Sequence, residues 1–214
     1  MIIVIGGEKG GTGKTTLATN LATKHLREGG DLLLVDTDKQ GSASDWTAAR
    51  DETTPDSRIA SIQKFGDTLA LELRDLQRKY KDIIVDTGGR DTVELRSSMI
   101  MANKFFIPLQ ASQFDVLTLG KMHRLVGHVK INNPSLQTYI IINRAPTNHQ
   151  ITEVKELIAL LPEFAHFKLC RTIIHERIAF RKAATSGLGV MELDQEDTKA
   201  TNEMDLLYQE VFYG

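Results

Sequence analysis

Five continuous apolar runs punctuate the chain, at 2–5, 32–35, 83–85, 105–107 and 139–142. None alternates apolar with polar positions, so each reads as a strand buried on both faces. Weaker runs near 59–62 and 167–169 extend the set. Helical periodicity fills the gaps. Leu17, Ala18, Leu21 and Ala22 share one face of a first helix that stops at Gly29 and Gly30, and further helical patterns run over about 66–79, 92–102, 114–130, 150–160, 175–186 and 196–212. On the helix at 114–130 the apolar face is read as Leu117, Val126 and Val129. The polar stretch 51–57 reads as a surface loop. Strands alternating with helices predict a doubly wound, mostly parallel α/β sheet, organised as one domain over residues 1–214.

Composition narrows the class without naming a ligand. The chain has 214 residues, 26 basic and 28 acidic, so no global field advertises a nucleic-acid partner, and any basic surface must be local. One cysteine, Cys170, excludes an intrachain disulfide and any paired-cysteine metal or redox site. The six histidines show no i, i+4 pairing. No stretch approaches the ~20 apolar residues that span a bilayer, and nothing reads as a signal peptide, so a cytoplasmic location is expected.

The chemistry starts after the first strand. Lys9, Gly10, Gly11, Thr12, Gly13, Lys14, Thr15 and Thr16 form a glycine loop that opens a helix. Backbone N–H groups at a helix N-terminus converge on one point with the positive end of the helix dipole behind them. Glycines let the backbone wrap an anion, Lys14 can reach the β- and γ-phosphates, and the Thr15 hydroxyl can ligate Mg²⁺. The usual phosphate-loop pattern has glycine where Glu8 stands, and Lys9 is an additional lysine. Three further strand ends face the same crevice. One carries Asp36 and Asp38, either able to contact Mg²⁺ or orient a water. Another presents Asp86 as a Walker B carboxylate, followed by Gly88 and Gly89. The third ends in Asn143 and Arg144, suited to reading a purine edge or packing over a base.

These motifs together resemble the deviant Walker A ATPases, specifically the ParA family of DNA-partition ATPases. The match runs in order from residue 2 to about 193 and ends with Ile174 to Arg177 and Gly187 to Val190. Without an N-terminal helix-turn-helix, the chain looks like the small plasmid-encoded subgroup. The resemblance implies ATP and Mg²⁺ as cofactors. Lys9 would reach the phosphates of a partner subunit across an ATP-dependent homodimer. Lys14 would bind phosphate within its own subunit, Thr15 would ligate Mg²⁺, and Thr16 would lie near the α-phosphate. Asp38 would be the carboxylate needed for hydrolysis, with Asp36 and Asp86 in the Mg²⁺ and water shell. Lys39 replaces the family's usual proline, which implies a looser loop.

An output surface is expected at 168–182. There Lys168, Arg171, Arg177, Arg181 and Lys182 stand against Glu176, a net of +4, with Arg177 and Arg181 spaced to share a helix face. A second basic group is Lys121, Arg124 and Lys130. The resemblance favours the first as a surface for non-specific duplex DNA of the nucleoid, with a small centromere-binding adaptor protein as stimulating partner. The acidic segment 191–214 argues against membrane binding. The implied function is plasmid segregation by a weak ATPase. The alternatives are a related ATPase that positions a protein cargo or organelle, and a metabolic phosphotransferase or ligase on the same fold.

Overall fold

A computed structural model describes residues 1–110, 116–147 and 152–214. The starts of the helices expected from 114 and from 150 therefore lie outside the described residues. Seven strands form one sheet: β1 (Ile2–Ile5), β2 (Leu32–Asp36), β3 (Ala60–Gln63), β4 (Asp82–Asp86), β5 (Lys104–Leu109), β6 (Gln137–Ala145) and β7 (Phe167–His175). Their order is β3-β2-β4-β1-β5-β6-β7, and every pairing is parallel. The chain winds from β1 toward one edge, returns as β4 beside β1, and then builds the other edge. All strand C-termini thus open on one rim, and the loop after β1 lies at the middle of it.

Continuous apolar strands acquire two buried faces because successive side chains point opposite ways. Ile2, Val4, Ile83, Val85, Phe105 and Ile107 belong to one core layer. That layer is covered by α3 (Leu69–Leu76), α4 (Val93–Met101), α5 (Val116–Asn132) and α6 (Thr152–Leu160). Ile3, Ile5, Leu34, Ile84, Phe106 and Ile141 form the other. It packs under α1 (Lys14–Arg27), α2 (Ser42–Thr53), α7 (Ile178–Thr185) and α8 (Thr198–Tyr213).

Four expectations need correction. Helix α2 was not anticipated, because it lacks an aliphatic stripe and buries Ala43, Trp46, Thr47 and Arg50 instead. It takes in 51–53, the start of the stretch read as a loop. On α5 the buried face is Leu119, Met122, Leu125, Val126 and Val129, whereas Leu117 is 75% exposed. Strand β7 runs on to His175, and α7 begins only at Ile178. Five of the seven carboxylates of 191–214 are engaged within the protein rather than forming one acidic face, while Asp194 and Glu196 are exposed. Glu192 binds Arg50, Asp205 binds Lys24, and Glu203 binds Arg177. Asp197 caps α8 at the Ala200 N–H, and Glu210 accepts from the Arg171 and Thr172 N–H groups on edge strand β7.

The Arg50–Glu192 pair ties α2 to the turn before α8. Arg50 is fully buried, and its guanidinium donates to both Glu192 oxygens at 2.8 and 2.9 Å and to the carbonyl oxygens of Ser57 and Gly187. Gly187 is needed there, since its φ is +65° and an added Cβ would lie 2.2 Å from the Arg50 backbone nitrogen. A buried charge stripped of its partner costs about 3–5 kcal/mol. Arg50→Ala should therefore lower the melting temperature by roughly 6–20 °C, at about 2–4 °C per kcal/mol for a chain of this size. Thermal unfolding followed by circular dichroism checks this; an unchanged midpoint would show that the pair is not structural.

Candidate functional site: a phosphate cradle at the central strand

The loop between β1 and α1 is shaped by carbonyls that are pulled outward. Lys14 Nζ donates to the Lys9 carbonyl at 2.9 Å. Arg144 Nη1 donates to the Gly11 carbonyl at 2.7 Å, and Asn143 Nδ2 to the Thr12 carbonyl at 2.6 Å. In a trans peptide the C=O and the following N–H point in opposite directions. Holding these three oxygens against the protein therefore turns the N–H groups of Gly10, Thr12 and Gly13 the other way. Gly13 precedes α1 as its N-cap, with φ +86° and no side-chain cap, so the first N–H groups of the helix face the same mouth. A Cβ on Gly10 or Gly11 would meet nothing within 4 Å, whereas one on Gly89 would lie 2.8 Å from the Gly10 nitrogen. The cradle is thus open above the first two glycines and walled closely by the third.

Carboxylates at two strand ends bound one side of the mouth. Asp86 closes β4 and is fully buried. Thr15 Oγ1 donates to its Oδ2 at 2.6 Å, while its Oδ1 is buried with no hydrogen-bond partner among the described residues. Burial, followed by the charges of Asp36 and Asp38, pushes the Asp86 carboxyl up to about 7, against the pull of Thr15 and Lys14. Burial conversely pushes the Lys14 ammonium down, while Asp86 and Asp38 hold it up. Such a site wants a cation. An orphaned carboxylate oxygen beside a threonine hydroxyl fits Mg²⁺, which takes one or two protein oxygens and completes its shell with water and phosphate. No group of three or more His, Cys, Asp or Glu among the described residues could hold a metal by itself.

Asp36 stands in register with Asp86. Its two oxygens accept from the Asp38 N–H and from the Ser44 N–H and hydroxyl, so it also fastens the start of α2. Asp38 is half-buried on the cleft wall and accepts from the Gln40 N–H at 3.0 Å. Lys9 is half-buried at the start of the loop, and Thr16 lines both the cleft and the recess beside it. The Glu8 carboxylate lies 3.3 Å from the Lys121 ammonium, which ties the unusual loop position to α5.

Beside the cleft, a recess of about 150 Å³ opens past Gly13 and Thr16. Its apolar wall is Ile174, Phe180 and Ala184; Ile174 lies in the stretch that carried the family resemblance, whereas Phe180 and Ala184 were not singled out from the sequence, although they are spaced to share a face of α7. Asn143 and Arg144 border it; an Asn143 amide donor holds the Thr12 carbonyl, and the Arg144 guanidinium is divided between the Gly11 carbonyl and the Glu176 carboxylate.

The basic segment is not one helix face. Lys168 and Arg171 project from β7, with the Lys168 ammonium 5.7 Å from the Tyr139 ring centre. Arg177 precedes α7 in extended conformation, and its guanidinium is bound by Glu203. Arg181 and Lys182 are exposed on α7. The i, i+4 relation between Arg177 and Arg181 fails because the helix begins one residue too late.

The burial of Asp86 carries a stability cost that a neutral isostere removes. An acid whose folded pKa lies above its unfolded value loses stabilisation as pH rises between the two, here from about 3.8 to about 7. Asp86→Asn should raise the melting temperature of the nucleotide-free protein at pH 7.5 by roughly 3–8 °C, with the difference shrinking toward pH 4. A pH series of melting curves checks this; a variant less stable than wild type at pH 7.5 contradicts the assignment.

With that geometry in place, comparison with known proteins identifies the family. The profile of the CobQ/CobB/MinD/ParA nucleotide binding domain matches residues 3–190. The chain is 22% identical over 210 residues to maintenance of carboxysome distribution protein A of Halothiobacillus neapolitanus, covering 98% of this chain and 95% of that one. It is 26% identical to the chromosome-partitioning ATPase Soj of Treponema pallidum, covering 91% and 90%. In fold it is similar to the septum site-determining protein MinD of Pyrococcus horikoshii complexed with Mg-ADP, with a TM-score of 0.74, 20% identity and coverage of 99% and 96%. The chain belongs to the CobQ/CobB/MinD/ParA nucleotide-binding domain family, as a ParA/MinD-like ATPase.

Proposed function

We propose that this ATPase is a positioning switch that partitions DNA, with Mg²⁺ and ATP in the β1–α1 cradle. The observation that carries the reading is the combination, at one loop, of outward-held carbonyls, a buried Thr15–Asp86 pair with an orphaned oxygen, and two lysines where one serves the loop itself. Lys14 neutralises phosphate charge from within the chain, and Thr15 and Asp86 hold the cation. Bound there, Mg²⁺ would supply charge neutralisation across the phosphates. Asp38, on the cleft wall beside Gly88, orients the attacking water, with Asp36 keeping its loop closed over Ser44. Lys9 completes the charge balance in the facing subunit of a homodimer.

Dimer closure on ATP follows from that division of lysines. Four phosphate charges are compensated only when both subunits contribute, and loss of the γ-phosphate removes the contact that distinguishes the closed state. Phosphoryl transfer needs positioning and charge compensation more than covalent help, so a slow basal rate raised by a small adaptor protein suits these parts. The DNA contact proposed is phosphate-directed, through Arg181 and Lys182 on α7 and Lys168 and Arg171 on β7, with Arg177 serving mainly to anchor the turn between them.

A second reading keeps the switch and changes the cargo to a protein assembly. It is favoured by the carboxysome-distribution relative, which matches 98% of this chain. Both readings call for nucleoid DNA as the track, so one experiment tests their common core. Purified protein is titrated against a random-sequence duplex with ATP, with ADP and without nucleotide, at fixed salt because backbone binding is steeply salt-dependent. Binding is expected with ATP only. It should vanish in Lys14→Ala and weaken about tenfold in the Arg181→Ala, Lys182→Ala double variant. A protein that hydrolyses ATP yet ignores DNA in every state would sink the DNA-borne readings and redirect the search to a small-molecule acceptor.

A further inference from the structure

The last residues of β6 carry an anomaly that the phosphate cradle alone does not explain. Arg144 has φ +53°, the one non-glycine residue among those described with positive φ. A long side chain in that region is strained and persists only where surrounding contacts impose it. The pairing of β6 with β7 is irregular at the same place, shifting register between Ile142 and Ala145. The distorted backbone delivers one guanidinium to two segments that do not otherwise meet through it. Nη1 holds the Gly11 carbonyl at 2.7 Å, while Nε and Nη2 grip the two oxygens of Glu176, the latter at 3.1 Å. The same pairing holds the Glu176 carboxyl below the usual carboxylate range.

Glu176 sits in the turn that leads from β7 into α7. Its N–H is fixed to the Ala145 carbonyl at 2.8 Å. The residue before it, His175, is held by Glu203 of α8 through its N–H and its ring, and Arg177 after it is held by the same carboxylate. That turn forms one side of the recess, with Ile174 and Phe180 beside it. The loop that faces phosphate and the turn that borders the recess are therefore joined through a single side chain with a bidentate grip on one and a carbonyl tether on the other.

We infer that Arg144 is a positioning residue: its bridge to Glu176 couples the phosphate loop to the β7–α7 turn, so that binding at the loop and ordering of the recess reinforce one another. This rests on the nucleotide reading of the site. When the bridge is intact, the Gly11 carbonyl stays outward and the Thr12 N–H faces the phosphates, and the turn is set at the position that receives the base. With the bridge cut, both segments relax independently, and each must be ordered again at the moment of binding.

A double-mutant cycle on ATP affinity tests this, using wild type, Arg144→Gln, Glu176→Gln and the double variant, each titrated with ATP and Mg²⁺ and each melted without nucleotide. Each single variant is expected to bind ATP about tenfold more weakly than wild type, and the double variant no more weakly than either single one. Unliganded melting temperatures should show no matching coupling, because the bridge is half-exposed. Additive losses of affinity, or singles that bind ATP as wild type does, would overturn the inference while leaving the nucleotide site standing. So would coupling found in the melting temperature alone, which marks a purely structural pair. Wild-type protein that binds no nucleotide would overturn the nucleotide reading and this inference with it.

Discussion

A fully buried carboxylate at the end of a central strand sets the terms for the rest of this molecule. Asp86 has no solvent to share its charge, and its partners are a threonine hydroxyl, a nearby ammonium and two further carboxylates. Left to itself that arrangement favours a proton. It becomes favourable for an ionised carboxylate when a cation and a polyanion enter together, because the cation answers Asp86 and the phosphates answer Lys14. The neighbouring elements are built to make that exchange available. β1 and β4 pair in register up to Ile5 and Asp86, so the loop leaves β1 beside the carboxylate. Gly89 packs against Gly10 at a distance that no side chain would permit.

Preorganisation of the loop is the second condition. Isolated glycine-rich backbone has many conformations, and ordering it on binding would consume affinity. Three side chains remove that freedom in advance by holding the carbonyls of Lys9, Gly11 and Thr12. Two of them come from consecutive residues at the end of β6, a strand that lies two places from β1 in the sheet. The left-handed backbone of Arg144 is the local cost of presenting both.

The acidic segment at 191–214 shows how far a charge pattern can mislead when it is read by itself. Most of its carboxylates are not simply solvated. Five of the seven are spent on Arg50, Lys24, Arg177, the N-terminus of α8 and the N–H groups of β7, while Asp194 and Glu196 are exposed. Glu210 in this way covers part of a sheet edge that would otherwise present unpaired donors. The described residues include no helix long and apolar enough to cross a membrane.

What the sequence by itself determined was local. Two-faced apolar runs announce buried parallel strands, and Gly10 to Thr16 announce a phosphate loop, because strand, loop and helix there are contiguous and their geometry follows from spacing alone. Membership of the family was legible for the same reason. Tertiary structure decided whatever depends on a distant partner. The helix α2 is held by Arg50 and Glu192, 142 positions apart, and by Asp36 at Ser44, so its own weak amphipathicity could not reveal it. Arg177 reads as half of a basic helix face until Glu203, 26 positions away, claims it and the strand before it runs longer than its apolar core suggests. Asn143 and Arg144 look like base contacts in a strand-end motif, and folding adds loop carbonyls 131 and 133 positions back that spacing could not show. Spacing encodes which residues share a face; only packing decides which of two plausible partners a charged or amide group finds, because both satisfy it equally well until the chain is folded.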